Sequence, residues 1–163
     1  MKLFNKEYLR SVIFGIEDSL VSTTGLIAGL SVGSDDKRIV VLGGVVAICI
    51  EAVSMGAGEY LSDDAVKDLD KIKRHSDQPL ISGLLMFSSY MLAGLVPLAP
   101  ILLMPLGQAI TLSVVLALAG LFLLGYSKGK ILHTSPIKGA IKILVVGGLA
   151  TALGVAVGFL FKV

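Results

Sequence analysis

Five long apolar runs alternate with short charged clusters along the 163 residues. The first, about 11–33, is bounded by Arg10 and by "SDDKR"; the second, about 39–62, ends at "SDDAVKD". The third, about 79–99, starts at Pro79 and closes in "VPLAP", and the fourth, about 106–126, follows Pro105 and stops before "SKGK". The fifth, about 138–161, finishes at Lys162. Each run has about the 20 residues a helix needs to cross ~30 Å of hydrocarbon. A tight, proline-bounded, uncharged turn joins the third run to the fourth. The pattern predicts an all-α integral membrane protein with five transmembrane helices. With no linker, low-complexity stretch or internal repeat, 1–163 reads as one five-span domain.

Composition agrees: 55% of residues are hydrophobic and 16% charged, where a soluble domain carries about a quarter charged. The net charge of +2 is less informative than its sidedness, and no nucleic-acid partner is expected. An odd number of spans puts the termini on opposite faces. One face collects Lys2, Lys6, Arg10, Lys67, Lys71, Lys73, Arg74, Lys128, Lys130, Lys138 and Lys142, and the other only Lys37, Arg38 and Lys162. Eleven against three predicts a cytoplasmic N-terminus and an outside C-terminus by the positive-inside rule. The basic N-terminus is read as the flank of an uncleaved first span, because Glu17 and Asp18 interrupt the apolar run behind it and no small-residue cleavage site follows. A single cysteine excludes an internal disulfide framework.

Helical neighbours recur at three and four positions. On the first span that spacing collects Ser11, Gly15, Asp18, Ser22, Gly25, Gly29 and Gly33, a small and polar stripe. Small residues so spaced let membrane helices approach closely, so the glycines read as a packing seam. Asp18 does not fit that reading, because an acid at the helix centre costs on the order of 2.5–3.5 kcal/mol even on the lenient scale. On the second span the same spacing collects Gly44, Ile48, Glu51, Met55, Gly58 or Glu59, and Ser62. Counted from the cytoplasmic ends at 1.5 Å per residue, Asp18 and Met55 both lie roughly 10 Å deep, Glu51 roughly 16 Å and Glu59 roughly 5 Å. Asp18, Glu51, Met55 and Glu59 thus form a candidate ladder of metal ligands descending from the cytoplasm. Carboxylates with a thioether favour a transition metal such as Fe²⁺, with Mn²⁺, Co²⁺ or Zn²⁺ as further candidates, over Mg²⁺ or Ca²⁺. The same carboxylates can take protons in competition with metal.

Other positions carry less. Glu17, 100° around from Asp18, is open to two readings: pairing with a neighbouring helix or carrying protons. Cys49 points away from the ladder and reads as packing. Met86, Met91 and Met104 read as lipid-facing or core, and His75 and His133 as loop residues without ligand spacing. The loop "SDDAVKDLDKIKRHSDQP" holds Asp63, Asp64, Asp68, Asp70 and Asp77 among basic side chains and reads as a solvated amphipathic extension, with weak cation attraction as the alternative. No nucleotide loop, serine nucleophile setting, CxxC or HExxH motif is present, which argues against an enzyme and against ATP-driven pumping. No permanently bound cofactor is expected.

"GIEDSLVSTTGLIAGLSVG" and "EAVSMGAGEYLS" resemble the signatures of the vacuolar iron transporter family, G-x-x-D-G-x-V-[ST] followed by S-M-[AG]-x-G-E-Y-x-S. "PLISGLLMFSSYMLAGLVPLAP" is similar to that family's F-x-x-G-x-x-P-L-x-P stretch, and "LFLLGYSKGK" and "GGLATALGVAVGFLF" to its last two spans. The resemblance implies a five-helix protomer, a homodimer in the bilayer with its metal path at the dimer axis, and transport of Fe²⁺, often also Mn²⁺, out of the cytosol in exchange for protons. Asp18, Met55 and Glu59 fall on motif positions, whereas Glu51 rests on the helical stripe alone. Ser19 stands where the family usually has glycine. The long Glu-rich insert of plant and fungal members is reduced here to about sixteen residues without glutamate. The chain therefore resembles a minimal, prokaryotic type of member, in the cell (inner) membrane if prokaryotic and the vacuolar membrane if eukaryotic. An uncoupled cation channel and a non-transporting membrane scaffold are the competing readings.

Overall fold

The computed structural model describes residues 6–69 and 78–162. Five helices form: α1 (Lys6–Gly33), α2 (Lys37–Leu69), α3 (Pro79–Leu103), α4 (Leu106–Ile131) and α5 (Pro136–Leu160). All five are long and apolar enough to cross a membrane, and the chain is a multi-pass integral membrane protein. Hydrocarbon offers no partner to a peptide N–H or C=O, and a helix satisfies both within itself.

The helices overrun the apolar runs at several ends. α2, at 33 residues and ~50 Å, carries Asp63, Asp64 and Asp68 on a continuous helix beyond the thickness of the bilayer. The first half of the acidic loop is therefore helical; Asp70, Lys71, Lys73, Arg74, His75 and Asp77 lie outside the described residues. α3 passes through Pro97 and Pro100 to Leu103, beyond the expected end at 99. Membrane helices tolerate internal prolines where neighbouring groups take up the freed carbonyls. At the end of α3 the Met104 N–H donates to the Pro100 carbonyl, and Lys37 Nζ donates to the carbonyls of Leu102 (3.2 Å) and Met104 (2.9 Å). α4 absorbs Lys128 and Lys130 into its last turn. His133, in the α4–α5 turn, adopts a left-handed backbone with φ 52°.

α1 is the hub, touching each of the other four helices, and α3 bridges α1, α2 and α4. α1 and α3 are the most enclosed helices and α5 the least. Two apolar clusters fill the bundle: Leu20, Ala93, Leu121 and Ile143 in one, and Ile27, Val40, Ile48, Leu98, Ile101 and Ala109 in the other. Met86 belongs to the buried core, whereas Met91 and Met104 pack against its edge. Lipid tails are as apolar as leucine, so seams between these helices depend on close backbone approach. The glycines supply it. A side chain begun at Gly25, Gly29 or Gly33 would meet the backbone of Ala150, Gly154 or Gly158 on α5, and one begun at Gly56 would meet Gly83 and Phe87 on α3.

Candidate cation path

The small and polar stripe of α1 serves three neighbours. Gly25, Gly29 and Gly33 face α5, and Gly15 faces Met86 and Ser89 on α3. Its serines turn to the acids of α2. Ser11 Oγ donates to Glu59 Oε1 at 2.6 Å, and Ser22 Oγ donates to Glu51 Oε2 at 3.0 Å. These two contacts set the register of the antiparallel pair. Asp18 on α1 and Met55 on α2 each lie one helical turn from the Ser22–Glu51 contact, toward the end marked by Ser11 and Glu59, so the two residues share a level along the pair. Both side chains are half-buried, and Asp18 lies within electrostatic reach of Glu51 and Glu17.

Glu51 has a second partner that the spacing did not reveal. The Tyr90 hydroxyl, from α3, donates to the same Oε2 and lies 2.6 Å from Ser22 Oγ. Tyr90 is fully enclosed, and Ser19 Oγ donates to its backbone carbonyl at 2.7 Å. Ser19, the departure from the glycine of the resembled motif, is thus a buried clamp between α1 and α3. A signal for Tyr90 was present: membrane tyrosines concentrate at the interfaces, yet this one stands eleven residues into its helix, roughly 16 Å, the depth assigned to Glu51.

Glu59, expected at the mouth of the ladder, is held by a base. Arg10 Nη2 lies 3.1 Å from Glu59 Oε1 and 3.7 Å from Asp63 Oδ1, while Arg10 Nε lies 3.6 Å from Glu7 Oε2. The sequence placed Arg10 at the boundary of the first span and among the basic residues of one face, without a partner. Glu17 shares with Glu59 a groove of ≈ 700 Å³ that Lys6, Arg10 and Lys128 also line. Cys49, expected to pack, is exposed within the protomer. Among the described residues, no three His, Cys, Asp or Glu side chains converge on a point that could hold a metal ion.

Five spanning helices enclosing acids at mid-depth define a polytopic membrane protein with a polar lane between α1, α2 and α3. A model of the VIT family matches residues 9–78 and 65–159, and the chain belongs to that family. It is 26% identical to "Vacuolar iron transporter 1" of Eucalyptus grandis and 25% identical to "Vacuolar iron transporter 1" of Arabidopsis thaliana, each over 90% of this chain and 83% of the relative. "Vacuolar iron transporter homolog 4" of Arabidopsis thaliana is 27% identical over 90% of this chain and 80% of that protein. The first two alignments run to 207 residues, longer than the entire chain, so those relatives carry residues absent here; the third spans 160. The family match breaks into two stretches at the α2–α3 connection, which points to that connection as the place of the missing length.

Proposed function

We propose that the chain is a secondary transporter that moves Fe²⁺ out of the cytosol in exchange for protons, with Mn²⁺, Co²⁺ and Zn²⁺ as further cargo. Family membership and relatives named as iron transporters support metal-ion transport in general. The observation that carries the finer reading is Glu51, an acid at mid-membrane depth held by hydroxyls and not by a base, with Asp18 and Met55 one turn away. Retaining such groups against their desolvation cost argues for a job in ion passage. A cation enters past Glu59 once Arg10 yields, is held by Asp18 and Met55, and passes Glu51. Because each carboxylate binds either metal or proton, loading with one displaces the other.

The working unit is a homodimer. Among the described residues one protomer gathers no three acids at a point, and two-fold symmetry doubles every ligand on the axis. The exposed side of α2 next to Met55 is built of Ser54, Ala57 and Gly58, and a side chain begun at Gly58 would meet no atom within 4 Å. That leaves room for a second copy. The count of basic residues on the two faces supports a cytoplasmic N-terminus.

The test is Fe²⁺ uptake into proteoliposomes with a simultaneous reading of internal pH. Wild type moves metal and protons in opposite directions, and Asp18→Asn and Met55→Ala each lower the flux at least tenfold. Unimpaired flux in both variants overturns the ligand assignment. Metal flux that moves no protons and ignores a pH gradient establishes an uncoupled channel.

A further inference from the structure

Glu51 is contacted from two helices at once, and both contacts go to one oxygen. Ser22 on α1 and Tyr90 on α3 place their hydroxyls on Oε2, and neither involves Oε1. The hydroxyls also touch each other at 2.6 Å, so α1, α2 and α3 meet in a single Ser–Tyr–Glu triangle. With one oxygen held by two groups, the carboxylate plane loses its freedom to rotate and its second oxygen acquires a fixed direction.

Tyr90 is well placed to impose that direction, because its own position is set from several sides. Its ring is fully enclosed, and its carbonyl is held by Ser19. One turn along α3, a side chain begun at Gly94 would come within 2.9 Å of the side chains of both Ile48 on α2 and Ser19 on α1, so the three helices interlock there with no room for a larger residue. A group carried on a packed helix is located more closely than one on a loop. A buried tyrosine hydroxyl needs some partner, and a turn of helix could have offered a carbonyl. Here it goes to the deepest acid of the α2 ladder.

We infer that Tyr90 is a positioning residue for cation passage: it fixes Oε2 of Glu51 so that Oε1 is presented to the passing divalent ion. The inference rests on the transport reading above and adds α3 to a path otherwise built from α1 and α2. Hydrogen bonds to a charged group are among the stronger ones in proteins. Removing this one alone therefore weakens cation capture about tenfold or more.

The experiment is Fe²⁺ uptake as a function of Fe²⁺ concentration by full-length wild type, Tyr90→Phe and Ser22→Ala in liposomes, with thermal unfolding of each in detergent. Tyr90→Phe keeps the ring and deletes only the hydroxyl. The expected result is an apparent KM raised about tenfold with the maximal rate changed far less. Ser22→Ala, which removes the other group on Oε2, shifts KM in the same direction and serves where Tyr90→Phe fails to fold. A KM equal to wild type in a folded Tyr90→Phe protein overturns the inference and leaves the transport reading intact. So does a loss confined to thermal stability and to the amount of active protein, the signature of a tyrosine that only fills the core. A wild type that moves no Fe²⁺ overturns both.

Discussion

Arg10 lies on Glu59, the acid proposed for the mouth of the path. Its guanidinium reaches Glu7, Glu59 and Asp63 while the side chain remains 59% exposed. The Glu59 and Asp63 side chains are only 11% and 18% exposed, so leaving them without their base is expected to make Arg10→Gln less stable in detergent unfolding by about 1–3 kcal/mol. Its effect on capture is larger in kind, because Glu59 is left without its tethered competitor. Fe²⁺ uptake at limiting concentration and low salt is expected to rise severalfold in Arg10→Gln. The difference from wild type narrows near 1 M salt, where the Debye length falls to about 3 Å. Parallel uptake measurements at the two ionic strengths check this. Periodicity could pair Asp18 with Met55 by depth, since both positions are read along single helices. It could not reveal that Arg10 lies on Glu59 or Tyr90 on Glu51, because those contacts depend on the direction in which two packed helices turn their faces.

The α1–α5 seam makes a quantitative statement about helix packing. A side chain begun at Gly154 would run into the backbone of Gly25, whereas one begun at Gly148, on the same helix, would meet nothing within 4 Å. Backbone cannot yield as a flexible side chain does, so Gly154→Ala is expected to destabilise by about 1–3 kcal/mol, the usual cost of overpacking. Gly148→Ala is expected to be neutral or to stabilise slightly through alanine's helix propensity. Thermal unfolding of the two variants side by side checks the contrast. The reading of the α1 glycines as a seam holds, but their partner was not legible: one stripe serves α5 with Gly25, Gly29 and Gly33, α3 with Gly15, and α2 with its serines. A three-to-four spacing states that residues share a face. It does not state that a tilted helix hands that face from one neighbour to the next along its length. The α3 prolines carry the same lesson, because the helix runs on through Pro97 and Pro100 to Leu103, past the point where proline usually ends one.

For the assembly, light scattering of the purified protein in detergent is expected to give twice the protomer mass. A monomer that still transports Fe²⁺ overturns the shared-axis reading. Family membership rests on a match through most of the chain, although the relatives that align over 207 residues carry residues absent here.

Hydropathy alone was enough for five spans and for the acids that interrupt them. Burial of apolar segments and the cost of burying charge are local properties, and each can be evaluated one helix at a time. The partners of the acids belong to the packed bundle. Arg10 and Glu59 are 49 residues apart, and Glu51 and Tyr90 are 39. Contacts at such separations exist only once α1 has become the hub and α3 has closed against α2. Which oxygen of Glu51 is held is therefore decided by side chains from three helices meeting at one place.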